Sequence, residues 1–427
     1  MVDNILTGKG TDLAFSGKSS HPTVTSWLLF GKLGRVSSLS LDAKLQTHYG
    51  RIQLHDVEAS VRTSDGLELS ASGNAELYNS GHLFAASDTG ITVKFTAPTT
   101  AAFNLLDYKG VPELGAVNGT FRLLASRDAI GLYDAEVSIG NRQSQQSVVR
   151  GSVARIGLLE EAVVTGIDLE GNLRSSNVAA LAKLAGYDLP QLGNGRADLH
   201  ASGDLDKLRL RNVNISIGNA DTLHVIARGA ADGLDLTREA LPQTADFNVT
   251  ASIPQLADLS RYFDVNLPAL GRMQASSKLK LRGKQLEFTP VKIDIGAADQ
   301  PVIRLDGKAI TVLHKGSSID ASFDVAATDL LMAFTDMKPG YLGRLEGAFA
   351  LSSMDGSWRI QQFRLASAQT QLYQLDIGGE REDFNKINLV NVKATLSIRN
   401  PEALGLSLIH ISEPTRLLRR SRMPSSA

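Results

Sequence analysis

Few residues in this 427-residue chain have the type and spacing needed for catalysis. Cysteine is absent, which excludes thiolate nucleophiles, disulfides and cysteine metal sites together. The eight histidines include no pair four residues apart beside a glutamate and no cluster, so we expect no metal site. The adjacent carboxylates Glu160 and Glu161 are typical of a solvated loop. With no phosphate-binding glycine loop and no Gly-x-Ser-x-Gly elbow, the sequence predicts neither catalysis nor a cofactor.

The clearest spacing belongs to two apolar sets that alternate with other residues, 78 positions apart. They are Val213, Ile215, Ile217, Val291, Ile293 and Ile295. Successive side chains of a strand leave opposite faces of a sheet, so each set should lie on one face. That face could be filled by the protein's own side chains, as in a closed sandwich or barrel, or it could line an open groove for acyl chains. The pattern alone leaves both possibilities open.

A repeat of about 78 residues positions these strands. The tetrad Pro-x-Leu-Gly occurs at residues 112–115, 190–193 and 268–271. About 20 residues later an alternating strand ends in a glycine, at Gly140, Gly218 and Gly296. The apolar parity switches at Arg211 and Asn212, which predicts a β-bulge or a tight break, because a slip of one residue would otherwise turn the apolar side chains to the other face. Each repeat is predicted to contain about four strands.

Before each tetrad lies a short apolar stretch with helical spacing, which predicts one amphipathic helix per repeat. The helices should begin near Thr99, Asn177, Pro254 and Thr328. Proline is suited to the first turn of a helix, where its missing N–H has no partner to lose. The predicted division is an N-terminal repeat over 1–98, repeats over 99–176, 177–253 and 254–327, a degenerate repeat over 328–405, and a tail over 406–427.

The tail differs from the rest of the chain. Residues Leu406 to Arg416 read LSLIHISEPTR, which resembles the translation of a transposase sequencing adapter at all eleven codons. We therefore expect residues 406–427 to be non-native and to pack against nothing. Without them the net charge changes from −1 to about −4, which disfavours nucleic acid as a partner. Residues 1–25 contain neither a signal peptide nor a spanning helix, and we expect the native start to lie upstream.

A helix ending in Leu-Pro-x-Leu-Gly and followed by an alternating strand that ends in Ile-Gly resembles the AsmA-like family of bacterial envelope proteins. The residues that carry the resemblance are 189–193 with 212–218, and 267–271 with 291–296. The similarity covers roughly residues 30 to 405. It implies a periplasmic, β-rich groove anchored in the inner membrane by one N-terminal helix. That helix is absent from this sequence, so the anchor is expected of the complete protein.

Together these features predict a mainly β protein, an elongated antiparallel β-sheet groove of 78-residue repeats. The resemblance implies a non-catalytic conduit that carries phospholipid towards the outer membrane. Phospholipid acyl chains and the inner membrane are then the expected partners, and the six alternating residues are the candidate groove lining. The alternatives are a structural or adhesive β-repeat surface protein and, less favoured, an all-β carbohydrate-active enzyme. The enzyme would need aromatic platforms, whereas only 6% of residues are aromatic and two are tryptophan.

Overall fold

The computed structural model describes most of the chain up to residue 398, and the chain divides into two compact units. The first contains residues 1–249 with 280–283, and the second contains residues 250–279 with 284–427. The described residues are 9–20, 36–48, 51–78, 90–102, 115–125, 129–141, 145–157, 163–179, 190–238, 241–262, 267–312, 316–326, 344–354, 357–369, 373–381 and 389–398. The predicted tail and the helix predicted near Thr328 lie outside them.

The described residues are mainly β and form twenty-one strands of an antiparallel sheet, as the alternating sequence predicts. The strands are β1 Lys9–Ser19, β2 Val36–His48, β3 Arg51–Thr63, β4 Glu68–Tyr78, β5 Ile91–Ala97, β6 Val117–Ala125, β7 Ala129–Asn141, β8 Gln145–Gly157, β9 Val164–Ser175, β10 Gly195–Asp204, β11 Lys207–Ile217, β12 His224–Leu234, β13 Thr244–Ile253, β14 Met273–Arg282, β15 Gln285–Gly296, β16 Pro301–Val312, β17 Gly316–Val325, β18 Arg344–Met354, β19 Ser357–Gln369, β20 Tyr373–Arg381 and β21 Leu389–Ile398.

Each unit contains an antiparallel meander. In the first unit, strands β1 to β12 each pair with the next strand along the chain. In the second unit, strands β15 to β21 pair in the same way. Tight connections suffice for antiparallel neighbours, so chain order and sheet order coincide.

Bulges interrupt the ladder at regular positions in β3, β7 and β11. Asp56, Asp134 and Asn212 each have φ of +51°, and the register shifts beside each of them. Each lies 78 residues after the one before. Asp and Asn tolerate this left-handed conformation better than other residues with a side chain. The bulge predicted at Arg211 and Asn212 is thereby confirmed.

A glycine on the next strand pairs with the residue that follows each bulge. The pairs are Val57 with Gly73, Ala135 with Gly151 and Val213 with Gly229. A Cβ at Gly151 would lie 1.9 Å from the backbone oxygen of Asp168, and one at Gly229 would lie 2.0 Å from that of Asp246. Backbones approach too closely there for any side chain, which is why glycine is required.

The glycines that end the Pro-x-Leu-Gly tetrads close the connections between β5 and β6, β9 and β10, and β13 and β14. In each, an N–H at the start of the connection donates to the carbonyl of the tetrad glycine. The pairs are Thr100 with Gly115 at 3.1 Å, Val178 with Gly193 at 3.0 Å and Leu256 with Gly271 at 2.8 Å. The N–H of each strand-ending glycine, Gly140, Gly218 and Gly296, donates to the residue after the tetrad, at 2.8 Å in all three. The recurring glycines therefore serve as backbone closures.

The predicted amphipathic helices are not confirmed. The third connection contains a six-residue 3-10 helix, Leu256–Arg261, which begins after Gln255 and not at Pro254. Gln255 is held in place because its side-chain oxygen accepts the N–H of Gly271 at 2.6 Å. In the first connection residues 100–102 form a 3-10 turn, and in the second only Val178 and Ala179, directly after Asn177, are described as helical. The i, i+3 spacing of Leu256 and Leu259 suits the tighter helix.

Candidate functional site

The first predicted set lies on β11, and its three side chains share one face. Val213 is buried, whereas Ile215 and Ile217 are half-buried. Asn214, between them, points to the opposite face and accepts a hydrogen bond from Arg228 Nε at 3.1 Å. Ile215 lies between Ala197 on β10 and Ala227 on β12. The isoleucine is therefore flanked by small side chains on both neighbouring strands.

The second predicted set lies on β15 and is also on one face. Val291, Ile293 and Ile295 are half-buried and pair with Gly307, Leu305 and Ile303 on β16. Lys292 is exposed on the opposite face, beside Asp306. The predicted separation of apolar and charged side chains is therefore found on this strand. Each set belongs to a different unit and forms part of that unit's own face.

Apolar positions continue from strand to strand in both units. In the first unit one cross-strand row runs over nine strands through Leu39, Val61, Leu69, Phe95, Gly119, Val137, Val149, Gly171 and Leu199. In the second unit a row runs over seven strands through Ile293, Leu305, Phe323, Gly347, Leu365, Ile377 and Ala394. Side chains directly opposite each other across an antiparallel pair are in contact distance. We call these two surfaces the apolar faces.

Two phenylalanines lie flat across glycines within these rows. A Cβ at Gly119 would lie 2.2 Å from the ring of Phe95, and one at Gly347 would lie 2.3 Å from the ring of Phe323. Each ring also contacts a second phenylalanine, Phe121 at 6.3 Å between centroids in the first unit. An aromatic ring that covers a cross-strand glycine protects the exposed backbone and fixes the register. These glycines are therefore part of the apolar faces.

Among the residues that the structure describes, no second sheet packs on these rows, although Ala102 of the β5–β6 connection packs with Leu69, Phe95 and Val137 of the first row. Within each unit, extensive strand-to-strand contacts join only neighbours in the meander. Most side chains in the rows remain half-buried, and the end at β1 and β2 is more open still, with Leu13 exposed to 43%. A side chain that packs against a second sheet is normally almost fully buried. Water therefore reaches both apolar faces.

The opposite face of the sheet carries matched charges. Its ion pairs join neighbouring strands and include Lys44 with Asp56 at 2.8 Å, Arg62 with Glu68 at 2.8 Å, Arg150 with Glu136 at 3.0 Å, Arg304 with Asp294 at 3.1 Å and Lys308 with Asp320 at 3.3 Å. The hydrogen bond and charge of Lys44 lower the pKa of Asp56, and Asp56 raises the pKa of Lys44 in return. Exposed pairs of this kind contribute little to stability individually. We call this surface the polar face.

Each unit also has a shallow concavity, and both concavities lie on the polar face. The first, of about 590 Å³, is lined by four basic and two acidic side chains, namely Arg209, Arg211, Lys280, Arg282, Asp232 and Asp246. The second, of about 880 Å³, is lined in part by Asp306, Asp320, Arg364, Asp376 and Lys393. Sequence reasoning missed both, because it followed only the apolar parity. The first concavity therefore has two more basic than acidic side chains.

The described residues contain no group of three or more potential metal ligands. The nearest approach to a catalytic pair is His200 with Asp168, at 2.6 Å between Nε2 and Oδ1. His224 Nε2 lies 3.0 Å from the hydroxyl of Ser216. Glu160 and Glu161 lie outside the described residues. The described side chains therefore form an apolar surface and a charged surface on opposite faces of the sheet.

Comparison of the chain with protein-family models, with curated proteins and with solved structures finds no match. In the part of the chain that the structure describes, no helix is both long enough and apolar enough to cross a membrane.

Proposed function

We propose that this chain is a non-catalytic lipid carrier whose apolar faces hold phospholipid acyl chains. The observation that carries the proposal is a continuous row of apolar positions in each unit, on which no second sheet packs among the described residues. Ile293 belongs to the row of the second unit, and Ile215 lies in a row beside that of the first unit. In the family that the sequence resembles, such a surface belongs to periplasmic proteins that are anchored in the inner membrane and support outer-membrane assembly. We extend that role and that location to this chain.

The energetics favour a continuous surface over an isolated pocket. Transferring an acyl chain of about sixteen carbons into water costs roughly 12 kcal/mol of free energy, at about 0.8 kcal/mol per CH₂ group. A carrier has to offset this loss at every point along its path. Neighbouring strands are about 4.8 Å apart, so a cross-strand row offers a new apolar contact at each such step. Rows over nine and seven strands meet this requirement within each unit.

Photo-crosslinking in cells that make the intact protein tests the proposal. A photoreactive amino acid at Ile215 or Ile293 should label lipid, because both side chains project from the apolar faces. The matched controls are Arg228 and Lys292, which are exposed on the polar face of the neighbouring or the same strand. Equal labelling at all four positions, or none at Ile215 and Ile293, would contradict the proposal. A structural or adhesive β-repeat protein would then be the better account.

A further inference from the structure

Among the described residues of the first unit, three aliphatic side chains are more than half exposed, and all three lie on strand connections. Val163, at 56%, precedes β9, while Leu236 and Leu241, at 51% and 56%, lie between β12 and β13. A fourth, Leu205, lies in the turn between β10 and β11 and is half-buried. We call these four residues the turn-edge patch. Contiguous exposed apolar groups often mark interaction sites, whereas single exposed apolar residues are normal on a protein surface.

Backbone hydrogen bonds hold these connections side by side. The N–H of Leu205 donates to the carbonyl of Val164, and the N–H of Leu236 donates to the carbonyl of Leu205, both at 3.0 Å. Asp235 fixes the next turn, because its carboxylate accepts from both the N–H and the hydroxyl of Thr237. The patch is thus built on an ordered row of connections at one edge of the sheet.

The turn-edge patch is continuous with the apolar face of its unit. Leu205 packs against a buried cluster of Ile167, Ala201 and Leu208, and Val164 packs against the same cluster. An acyl chain leaving the patch would therefore meet apolar side chains directly. The patch is therefore a binding surface that also gives access to the apolar face from the edge of the sheet.

The basic concavity adjoins the same edge of the sheet. The N–H of Gly283, directly after Arg282, donates to the carbonyl of Gln243 at 2.7 Å, which joins that turn to the connection carrying Leu241. Arg282 and Lys280 line the concavity, whose basic side chains exceed its acidic ones by two. Aliphatic tips beside an excess of positive charge are the combination that phospholipid interfaces attract, with apolar groups below the headgroups and cations at the phosphates.

We propose that the turn-edge patch docks on the surface of a phospholipid bilayer, with Leu236 and Leu241 inserted among the headgroups. Protein-binding hot spots are enriched in Trp, Tyr and Arg and poor in Leu and Val, so the aliphatic composition of the patch favours a bilayer over a protein partner. Docking needs only the patch and the adjacent charge. Transfer of an acyl chain from the bilayer to the apolar face rests, in addition, on the proposed function.

Vesicle flotation of the full chain tests the docking. Vesicles of phosphatidylcholine, alone or with one-fifth phosphatidylglycerol, should carry the protein upward. The double variant Leu236→Ser, Leu241→Ser should reduce the bound fraction about tenfold on both, since two apolar insertions are lost. Leu236→Met, Leu241→Met should retain binding, and thermal unfolding of both variants should match the parent. Equal flotation of the serine variant and the parent, or no flotation of the parent on either vesicle, would overturn the proposal.

The contribution of charge can be measured separately. Lys280→Gln with Arg282→Gln should weaken binding to the anionic vesicles several-fold and remove its salt dependence, while binding to phosphatidylcholine alone changes less. Binding of a fluorescent fatty acid in vesicle-free buffer reports on the apolar faces and should be unaffected by Leu236→Ser, Leu241→Ser. Failure of fatty-acid binding with intact flotation would contradict the carrier function and leave docking standing. A protein partner captured through Leu236, without flotation, would assign the patch to that partner instead.

Discussion

The polar and apolar faces of the sheet differ in how their side chains are satisfied. On the polar face charges meet opposite charges on neighbouring strands, as Arg150 meets Glu136 and Arg304 meets Asp294. On the apolar faces, side chains such as Ile215 and Ile293 have apolar neighbours at their sides and no described layer above them. Uncovered apolar area costs about 25 cal/mol per Å² in water, whereas a hydrated ion pair costs almost nothing. One face is therefore suited to water and the other to an apolar ligand.

Of the substitutions that test the difference between the faces, Gly119→Val on the apolar face should reduce the free energy of unfolding most. The new side chain would collide with the ring of Phe95, whose nearest atom lies 2.2 Å from the Cβ position. Displacing the ring breaks its contact with Phe121 as well. We expect a loss of about 1 to 3 kcal/mol in the free energy of unfolding, the usual range for overpacking. Chemical denaturation monitored by circular dichroism would measure it.

Gly17→Val is the matched control for that substitution. Gly17 also lies in a strand, but nothing lies within 4 Å of the position its Cβ would take. Valine favours strands, so the free energy of unfolding should stay within about 0.5 kcal/mol of the parent. Equal losses at Gly119 and Gly17 would show that the rings do not lie over the glycine as described.

A smaller effect should separate two adjacent residues on opposite faces, Ile293 and Lys292. Ile293→Asn places an amide among Leu305 and other apolar side chains and should reduce the free energy of unfolding by about 1 kcal/mol, because the site is only half-buried. Lys292→Asn on the exposed polar face should change it by less than about 0.5 kcal/mol. Thermal unfolding of the two variants in one buffer provides the measurement. The reverse order would mean that the faces have been assigned to the wrong sides.

The smallest effect is expected at the ion pair of Lys44 and Asp56. Asp56→Asn keeps a residue type that tolerates φ of +51°, as Asn212 does in β11, and removes only the charge. Lys44 lowers the pKa of Asp56 in the folded chain. The pair therefore stabilises the folded chain at pH values above the ordinary pKa of Asp. This contribution is lost as the pH falls through the lowered pKa of Asp56. The melting temperatures of the parent and the variant should differ slightly at neutral pH and converge in acid or in high salt. A difference that persists unchanged at pH 2 would point to the backbone instead.

The features of this fold that could be predicted from the sequence are those set by local pattern. Alternation at Val213 to Ile217 predicts a strand because its period is two, and the parity break at Asn212 predicts the bulge because only an extra residue restores the face. The helices were less predictable. Apolar residues at Leu256 and Leu259 fit an α-helix or a 3-10 helix equally well, and the backbone bond to Gly271, which is remote in sequence, sets where the helix begins.

The glycines opposite the bulges and the connection before β2 also have a recurring sequence signal. Gly73, Gly151 and Gly229 recur every 78 residues opposite the bulges, and Leu33-Gly34 precedes β2 as Leu114-Gly115 precedes β6. Parity alone predicts that each set of candidate groove residues shares one face of its strand, and a groove lined by them remains a prediction. Whether a second layer covers those faces depends on contacts between distant segments, which no periodicity encodes. The turn-edge patch could not be predicted for a similar reason. Single leucines in turns form a patch only when the fold places their connections side by side.

The closures at Gly115, Gly193 and Gly271 have a consequence for how such a chain can evolve. In each connection an N–H near its start donates to a glycine carbonyl near its end, and the next carbonyl accepts from a glycine at the end of the second strand that follows. A gene segment copied from one closure to the next would carry a complete set of four strands and present the same backbone groups at both of its ends. Duplication or loss of whole segments would leave the hydrogen-bonded junctions unchanged. The number of such four-strand segments could thus change one at a time, in the way that stacked-repeat proteins vary their number of units.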